Sequence, residues 1–411
     1  MLNSKDTYSS ENKSFKSLIM LLFSRASTAL SMQMVTVAVG WQMYSITKST
    51  FYLGLVGLME FIPMIILTIF IGYAADHFDR KKMIFFSQII GSASILILAF
   101  GSYHGWIDKN IILILIFLIG VCNSIQGPPL QALLPNVVEK EKFPKAAALS
   151  SSVFQIAVIL GPCAGGFLYP LGAYVVYFIA AFLLLISAFN ILFIKVRNEQ
   201  VKSESVTIKS LLTGLSFIKS RPIILGAMSM DLFAVLFGGA TALIPVFASD
   251  VFKIGPWGFG VLRAAPAVGA LIMSIILAIN PLKKKVGHIM YAAVIMFGIT
   301  TILFAISRSF ILSILILCIM GASDVISVVI RSTLVQLNTP DEMRGRVSSV
   351  NQMFVGTSNQ LGEFESGLTA SWFGAVPAVL IGGIGTVVVV LSWIKLFPQL
   401  FNVDKMTNKK S

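Results

Sequence analysis

The chain has 411 residues, of which 56% are hydrophobic and 12% charged, with a mean hydropathy of +0.87. A soluble protein carries about 25% charged residues, so a soluble enzyme is excluded. The apolar excess runs along the whole chain, which excludes a single-span receptor. The formal net charge of +13 needs no nucleic acid partner, because cytoplasmic loops of membrane proteins collect Lys and Arg.

At about 20 apolar residues per crossing, twelve segments read as membrane helices. They lie near 18–44, 52–75, 83–102, 111–134, 146–168 and 174–194, then near 222–247, 257–279, 289–307, 311–336, 347–371 and 374–395. Lys13 and Lys16 precede the first as they would in a signal peptide. The run on to Tyr44 is too long for one and has no A-x-A site, so it reads as a retained helix. The resulting organisation is an N-terminal tail 1–17, a six-helix bundle 18–197, a linker 198–221, a second six-helix bundle 222–397 and a C-terminal tail 398–411. In the linker, apolar residues at 208, 211, 212, 215 and 218 recur at helical spacing, the pattern of an amphipathic surface helix.

Charge placement gives the orientation. The runs Arg80-Lys81-Lys82 and Lys283-Lys284-Lys285, the central linker and both tails fall on one side. Among basic loop residues, only Lys48, Lys109, Lys253 and Arg308 fall on the other. The positive-inside rule puts the basic side, and with it both termini, in the cytoplasm.

The two halves repeat. Glu141 and Lys145 after the fourth segment match Glu342 and Arg346 after the tenth. Glu60-Phe-Ile-Pro63 in the second segment sits opposite Arg263-Ala-Ala-Pro266 in the eighth. Parallel duplication of six helices is the plan of the major facilitator transporters.

Local motifs make that likeness specific. Gly72-Tyr-Ala-Ala-Asp76-His-Phe-Asp79-Arg80-Lys81-Lys82 resembles the major facilitator signature between the second and third helices, with Asp79 replacing a glycine. The resemblance implies that Asp76 and Arg80 latch the cytoplasmic gate, with Gly72 and Lys81 completing the motif. Ala148 and Ala157-Val-Ile-Leu-Gly161-Pro162-Cys-Ala-Gly165-Gly166 resemble the antiporter motif of drug exporters, intact in its last part. Asp324 to Arg331, Gln336 to Val347 and Ser358 to Gly367 resemble a bacterial subfamily that includes enterobactin exporters and macrolide efflux proteins. This resemblance implies an all-α membrane protein of two pseudo-symmetric six-helix bundles in the bacterial cytoplasmic membrane. It would act as a monomer by alternating access, exporting a siderophore or drug-like amphipathic molecule with protons as coupling ion. Import of a siderophore or lipid-like solute is the alternative, and a non-transporting sensor or partner protein is a third.

Ionisable groups within a bilayer are costly and mark pathways or pairs. Here they are Arg25, Glu60, Asp231, Arg263, Asp324, Arg331, Glu363 and Glu365. Segments three, six, nine and twelve, which face lipid in the family, carry none, Lys395 at the end of the twelfth counting with the cytoplasmic side. Glu60 lies eight residues past Tyr52, about 12 Å along a helix, and Glu363 lies eight before Ser371. The two share a depth, and carboxylates held close cannot both stay charged cheaply. They are therefore a candidate proton-coupling pair. Glu363 and Glu365 point apart on a helix, and Glu363 is the preferred member. Gln33, Gln42, Asn123 and Gln126 are candidate polar cavity groups.

Catalysis has no candidate constellation. The three histidines, His77, His104 and His288, lie in or beside loops. No H-E-x-x-H, G-x-S-x-G or Walker A pattern occurs. The three cysteines fall within apolar stretches, so neither a metal nor a cofactor is expected.

Overall fold

The computed structural model describes residues 4–139, 141–196 and 208–405, with the side chains of 4–14, 68–77, 208–209 and Asp341 outside that description. Every regular element among these residues is helical. In chain order they are α1 (Ser4–Thr47), α2 (Thr50–His77), α3 (Arg80–His104), α4 (Lys109–Val137), α5 (Phe143–Leu168) and α6 (Ala173–Phe193). Then come α7 (Ile208–Lys219), α8 (Pro222–Phe237), α9 (Ile244–Val246), α10 (Gly255–Ile279), α11 (Val286–Ile306), α12 (Phe310–Leu337), α13 (Asp341–Phe373), α14 (Ala375–Leu396) and α15 (Pro398–Phe401). Among the described residues, eleven segments are long and apolar enough to cross a membrane. The 33-residue α13 is long enough to cross as well, but the charges it carries lower its hydropathy. The chain is a multi-pass membrane protein.

Two expected boundaries differ. Helix begins at Ser4 rather than near 18, because the polar residues up to Lys16 continue the helix ahead of the apolar run. The seventh segment is not one helix over 222–247. It stops at Phe237, passes through a 3-10 turn (Gly239–Leu243) and α9, and ends in a π-turn (Phe247–Val251). Adjacent Gly238 and Gly239 have low helix propensity. Gly239 also lies so close to the Gly362 carbonyl of α13 that a Cβ would collide with it.

The chain divides into two compact units, residues 1–39 with 62–205 and residues 40–61 with 206–411. In the first, α3 packs on α4 and α6. Its core joins Leu21, Ile84, Leu133, Val137, Ala146 and Ile191. Buried hydroxyls tie α1, α3 and α6 together. Ser24 and Thr28 bond Ser187 at 2.5 and 2.8 Å, and Gln88 Nε2 donates to Thr28 at 3.0 Å. Such interhelical polar bonds hold membrane helices where apolar burial gives no driving force.

In the second unit, α10, α11, α12 and α14 pack together, with Met230, Met290, Tyr291, Ile330 and Val390 in the core. The α7 helix packs against α13 and α8. Its Ile218 is fully buried with Ile224, Met228 and Val347, while Leu212 and Leu215 remain exposed. Part of its apolar face is therefore spent on protein rather than on a membrane surface. The tip 40–61, the C-terminal end of α1 and the N-terminal part of α2 with the turn between them, belongs to this unit. Two large apolar rows are exposed on the helices expected to face lipid: Phe86, Ile90, Ile97 and Phe100 on α3, and Ile381, Ile384, Val388 and Leu391 on α14.

Candidate functional site

Two charge clusters form inside the second unit. The first centres on Arg263 of α10. Its Nη2 donates to Glu363 Oε1 of α13 at 3.1 Å, and its Nη1 donates to the Thr241 carbonyl at 3.0 Å. That carbonyl is available because the chain leaves α-helical geometry at Gly238. Irregular backbone within a membrane needs such a donor. Glu60 of α2 lies within electrostatic reach of both Glu363 and Arg263. Close helix approach makes this possible. A Cβ on Gly57 would lie 2.9 Å from the Glu363 Cβ, and one on Gly54 would lie 2.9 Å from the Phe364 carbonyl. The cluster thus holds two carboxylates and one guanidinium. Glu60 and Arg263, which occupy matching positions in the two sequence repeats, come within electrostatic reach of each other here.

The second cluster joins α8, α12 and α13. Arg331 Nη1 lies 3.1 Å from Asp231 Oδ2 and donates to Asn351 Oδ1 at 3.1 Å. Both charged side chains are buried, at 6% and 7% exposure. Asp324, two turns before Arg331 on α12, feels both partners electrostatically.

The remaining candidates lie elsewhere. Glu365 is turned along its own helix, where its Oε1 accepts from Thr369 at 2.8 Å. Arg25 is half-buried on α1 in the first unit, outside both clusters. Gln126 Nε2 donates to Asn123 Oδ1 at 2.8 Å on α4, while the buried Gln126 Oε1 has no hydrogen-bond partner. Gln42 is buried, in the second unit. Gln33 packs against Gly161, where a Cβ would strike the Gln33 side chain, and Gly165 lies against the Met34 carbonyl. With Ala157, Pro162 and Gly166 also buried, the antiporter-like stretch acts here as a seat for α1.

At the signature loop, the side chains of Gly72 and Asp76 lie outside the described residues. Arg80 opens α3. Lys81 Nζ donates to the Leu192 and Ile194 carbonyls at 3.3 and 3.0 Å, at the C-terminal end of α6, where a cation is favoured. Asp79 caps α3 by accepting from the Lys81 and Lys82 amides at 2.8 and 3.4 Å. An N-cap carboxylate is a physical reason for aspartate at this position.

Sequence reasoning missed three participants. Asn351 and the Thr241 carbonyl carry no signal that charge position reveals. The third is Tyr44, whose hydroxyl donates to the Asp250 carboxylate of the π-turn, with the Lys48 ammonium 5.2 Å from the centre of its ring. An aromatic and a lysine one turn apart were the available hint.

Comparison with known proteins agrees with this architecture. The family model described as transmembrane secretion effector matches residues 12–410. A staphyloferrin A transporter of Staphylococcus aureus is 24% identical, covering 86% of this chain and 90% of its own. A macrolide efflux protein A of Streptococcus pyogenes is 22% identical over 82% and 85%. An enterobactin exporter of Citrobacter koseri is 23% identical over 92% and 91%. Among solved structures, a bacterial homologue of the human lysosomal transporter Spinster superposes with a TM-score of 0.71 at 13% identity, covering 95% of this chain and 96% of its own.

Proposed function

Since this chain belongs to the transmembrane secretion effector family of the major facilitator transporters, a family of non-enzymatic carriers of small molecules, we propose that it is a proton-coupled exporter of a siderophore or drug-like amphipathic molecule. The observation that carries the reading is the Glu60–Arg263–Glu363 cluster. One guanidinium serves two carboxylates, so one negative charge within the membrane is left for an exchangeable proton to balance. The carboxylate without that bond is Glu60, which takes the proton; when the proton is lost, Glu60 competes with Glu363 for the guanidinium and draws off one of its arms. The other arm stays on the Thr241 carbonyl. A proton thereby reorganises the contact between α10, α13 and the tip of α2, the kind of event that lets an element with two arrangements switch.

Export is favoured over import by the secretion-effector family and by the antiporter-like stretch in α5. Placing both termini in the cytoplasm follows from the basic loops. The named cargoes of the relatives supply the probes. Cells carrying or lacking the gene are loaded with labelled enterobactin, staphyloferrin A or a macrolide. The expected result is faster loss of one label from carriers, abolished by Glu363→Gln. Equal retention of all three would remove these cargoes, and greater accumulation in carriers would replace export by import.

A further inference from the structure

The second cluster borders a small cavity between α8, α11 and α12, lined by Asp231, Val294, Phe297, Ser323, Asp324 and Ser327. It offers about 10 Å³ to the centre of a water-sized sphere, the space needed by one water or one small ion. Ser327 is 3% exposed, and its Oγ has no hydrogen-bond partner. Asp324, Ser327 and Arg331 recur at i, i+3 and i+7, one face of α12. The guanidinium is already engaged, with Nη1 on Asp231 and Asn351. Asp324 therefore brings a second carboxylate, not bonded by that Nη1, to a cavity that also holds an unsatisfied hydroxyl.

We propose that this cavity binds one sodium ion. The donor atoms are the Asp324 carboxylate, the Asp231 oxygen not bonded to Arg331, and the hydroxyls of Ser327 and Ser323. Ser323 Oγ donates to the Ile319 carbonyl at 2.8 Å, which leaves its lone pairs free. All are hard oxygens, the donors that s-block cations select. The net charge of the cluster, two carboxylates against one guanidinium, calls for a single positive charge. A divalent or transition metal would need more anionic or nitrogen ligands, and no group of three or more His, Cys, Asp and Glu is placed to hold one among the described residues. Arg331 Nε is buried without a partner. When the ion leaves, this nitrogen is the donor to which Asp324 can turn, so ion release and rearrangement of α12 are linked.

The test uses the full-length protein purified in detergent at fixed pH and ionic strength, with sodium chloride exchanged for choline chloride. Thermal unfolding and ²²Na⁺ equilibrium dialysis are the readouts. Saturable stabilisation by sodium, with one ion bound per chain, is the expected result. Asp324→Asn abolishes it. Ser327→Ala, a substitution that leaves packing intact, weakens half-saturation about tenfold, the loss of one net hydrogen-bond-sized interaction. Glu363→Gln leaves sodium binding unchanged, so the result stands apart from whether the first cluster carries protons. Equal unfolding in sodium and choline, equal stabilisation by potassium, or sodium binding that survives Asp324→Asn would each overturn the assignment.

Discussion

Removing Arg331 should damage the protein far more than removing its partner. The Arg331–Asp231 pair is 3.1 Å apart and nearly inaccessible, and Asp324 feels both groups. Arg331→Gln leaves two carboxylates buried together with no guanidinium. Breaking a buried pair in this way costs about 3–5 kcal/mol. Asp231→Asn loses only a charge-assisted hydrogen bond, about 1.5–3 kcal/mol, because Asp324 stays as counter-charge to Arg331. The double variant Arg331→Gln/Asp231→Asn keeps the net charge of the original cluster and should regain part of the loss. The assay is unfolding of the purified variants in detergent, in sodium-free buffer so that no ion contributes, with membrane insertion checked beforehand. Three ranks are expected, with Asp231→Asn the mildest, the double variant next and Arg331→Gln the worst. Asp231→Asn as damaging as Arg331→Gln, or a double variant worse than Arg331→Gln, would refute the charge accounting.

Other consequences are direct. Gly161→Leu would drive a side chain into Gln33 and the Leu30 carbonyl and should lower the yield of folded protein on size-exclusion chromatography, while Ser152→Ala on the exposed face of α5 should not. Tyr44→Phe removes the hydroxyl bonded to Asp250, a bond to a charged group worth about 1.5–3 kcal/mol. Amide exchange over 40–50 and 247–254 should accelerate by roughly tenfold or more, and unchanged exchange would mean that the bond holds nothing. Asp76→Asn should slow transport while leaving insertion at the level of the parent protein, as measured by membrane fractionation, whereas normal transport would reduce the loop to a topological anchor.

Much of this molecule is legible in its sequence because the bilayer simplifies the code. Apolar runs and basic loops follow from solvation alone, the half-length repeat shows in matched charges and prolines, and the avoidance of segments three, six, nine and twelve by charge follows from the cost of burying it in lipid. Depth along a helix is also readable, which is why Glu60 and Glu363 stand out as a pair. Partner choice is a different matter. Arg263 bonds Glu363 and a backbone carbonyl, and Arg331 bonds Asp231 and Asn351, because of helix rotation and close approach that residue spacing does not encode. The break at Gly238–Gly239 illustrates the limit. Its glycines are visible in the sequence, but the need for a Gly362 carbonyl beside them arises only when α13 packs there. The choice between Glu363 and Glu365 turned on the same rotation.

The central claim is that a proton gradient drives export through the Glu60–Arg263–Glu363 cluster. Inside-out membrane vesicles loaded at acid pH and diluted into neutral buffer test it most directly, with uptake of labelled enterobactin, staphyloferrin A and a macrolide followed over time. Uptake of one of them that depends on the gradient, collapses with a protonophore and is lost in Glu363→Gln is the predicted result. Uptake that proceeds equally with the gradient collapsed, or that Glu363→Gln leaves intact, would contradict it.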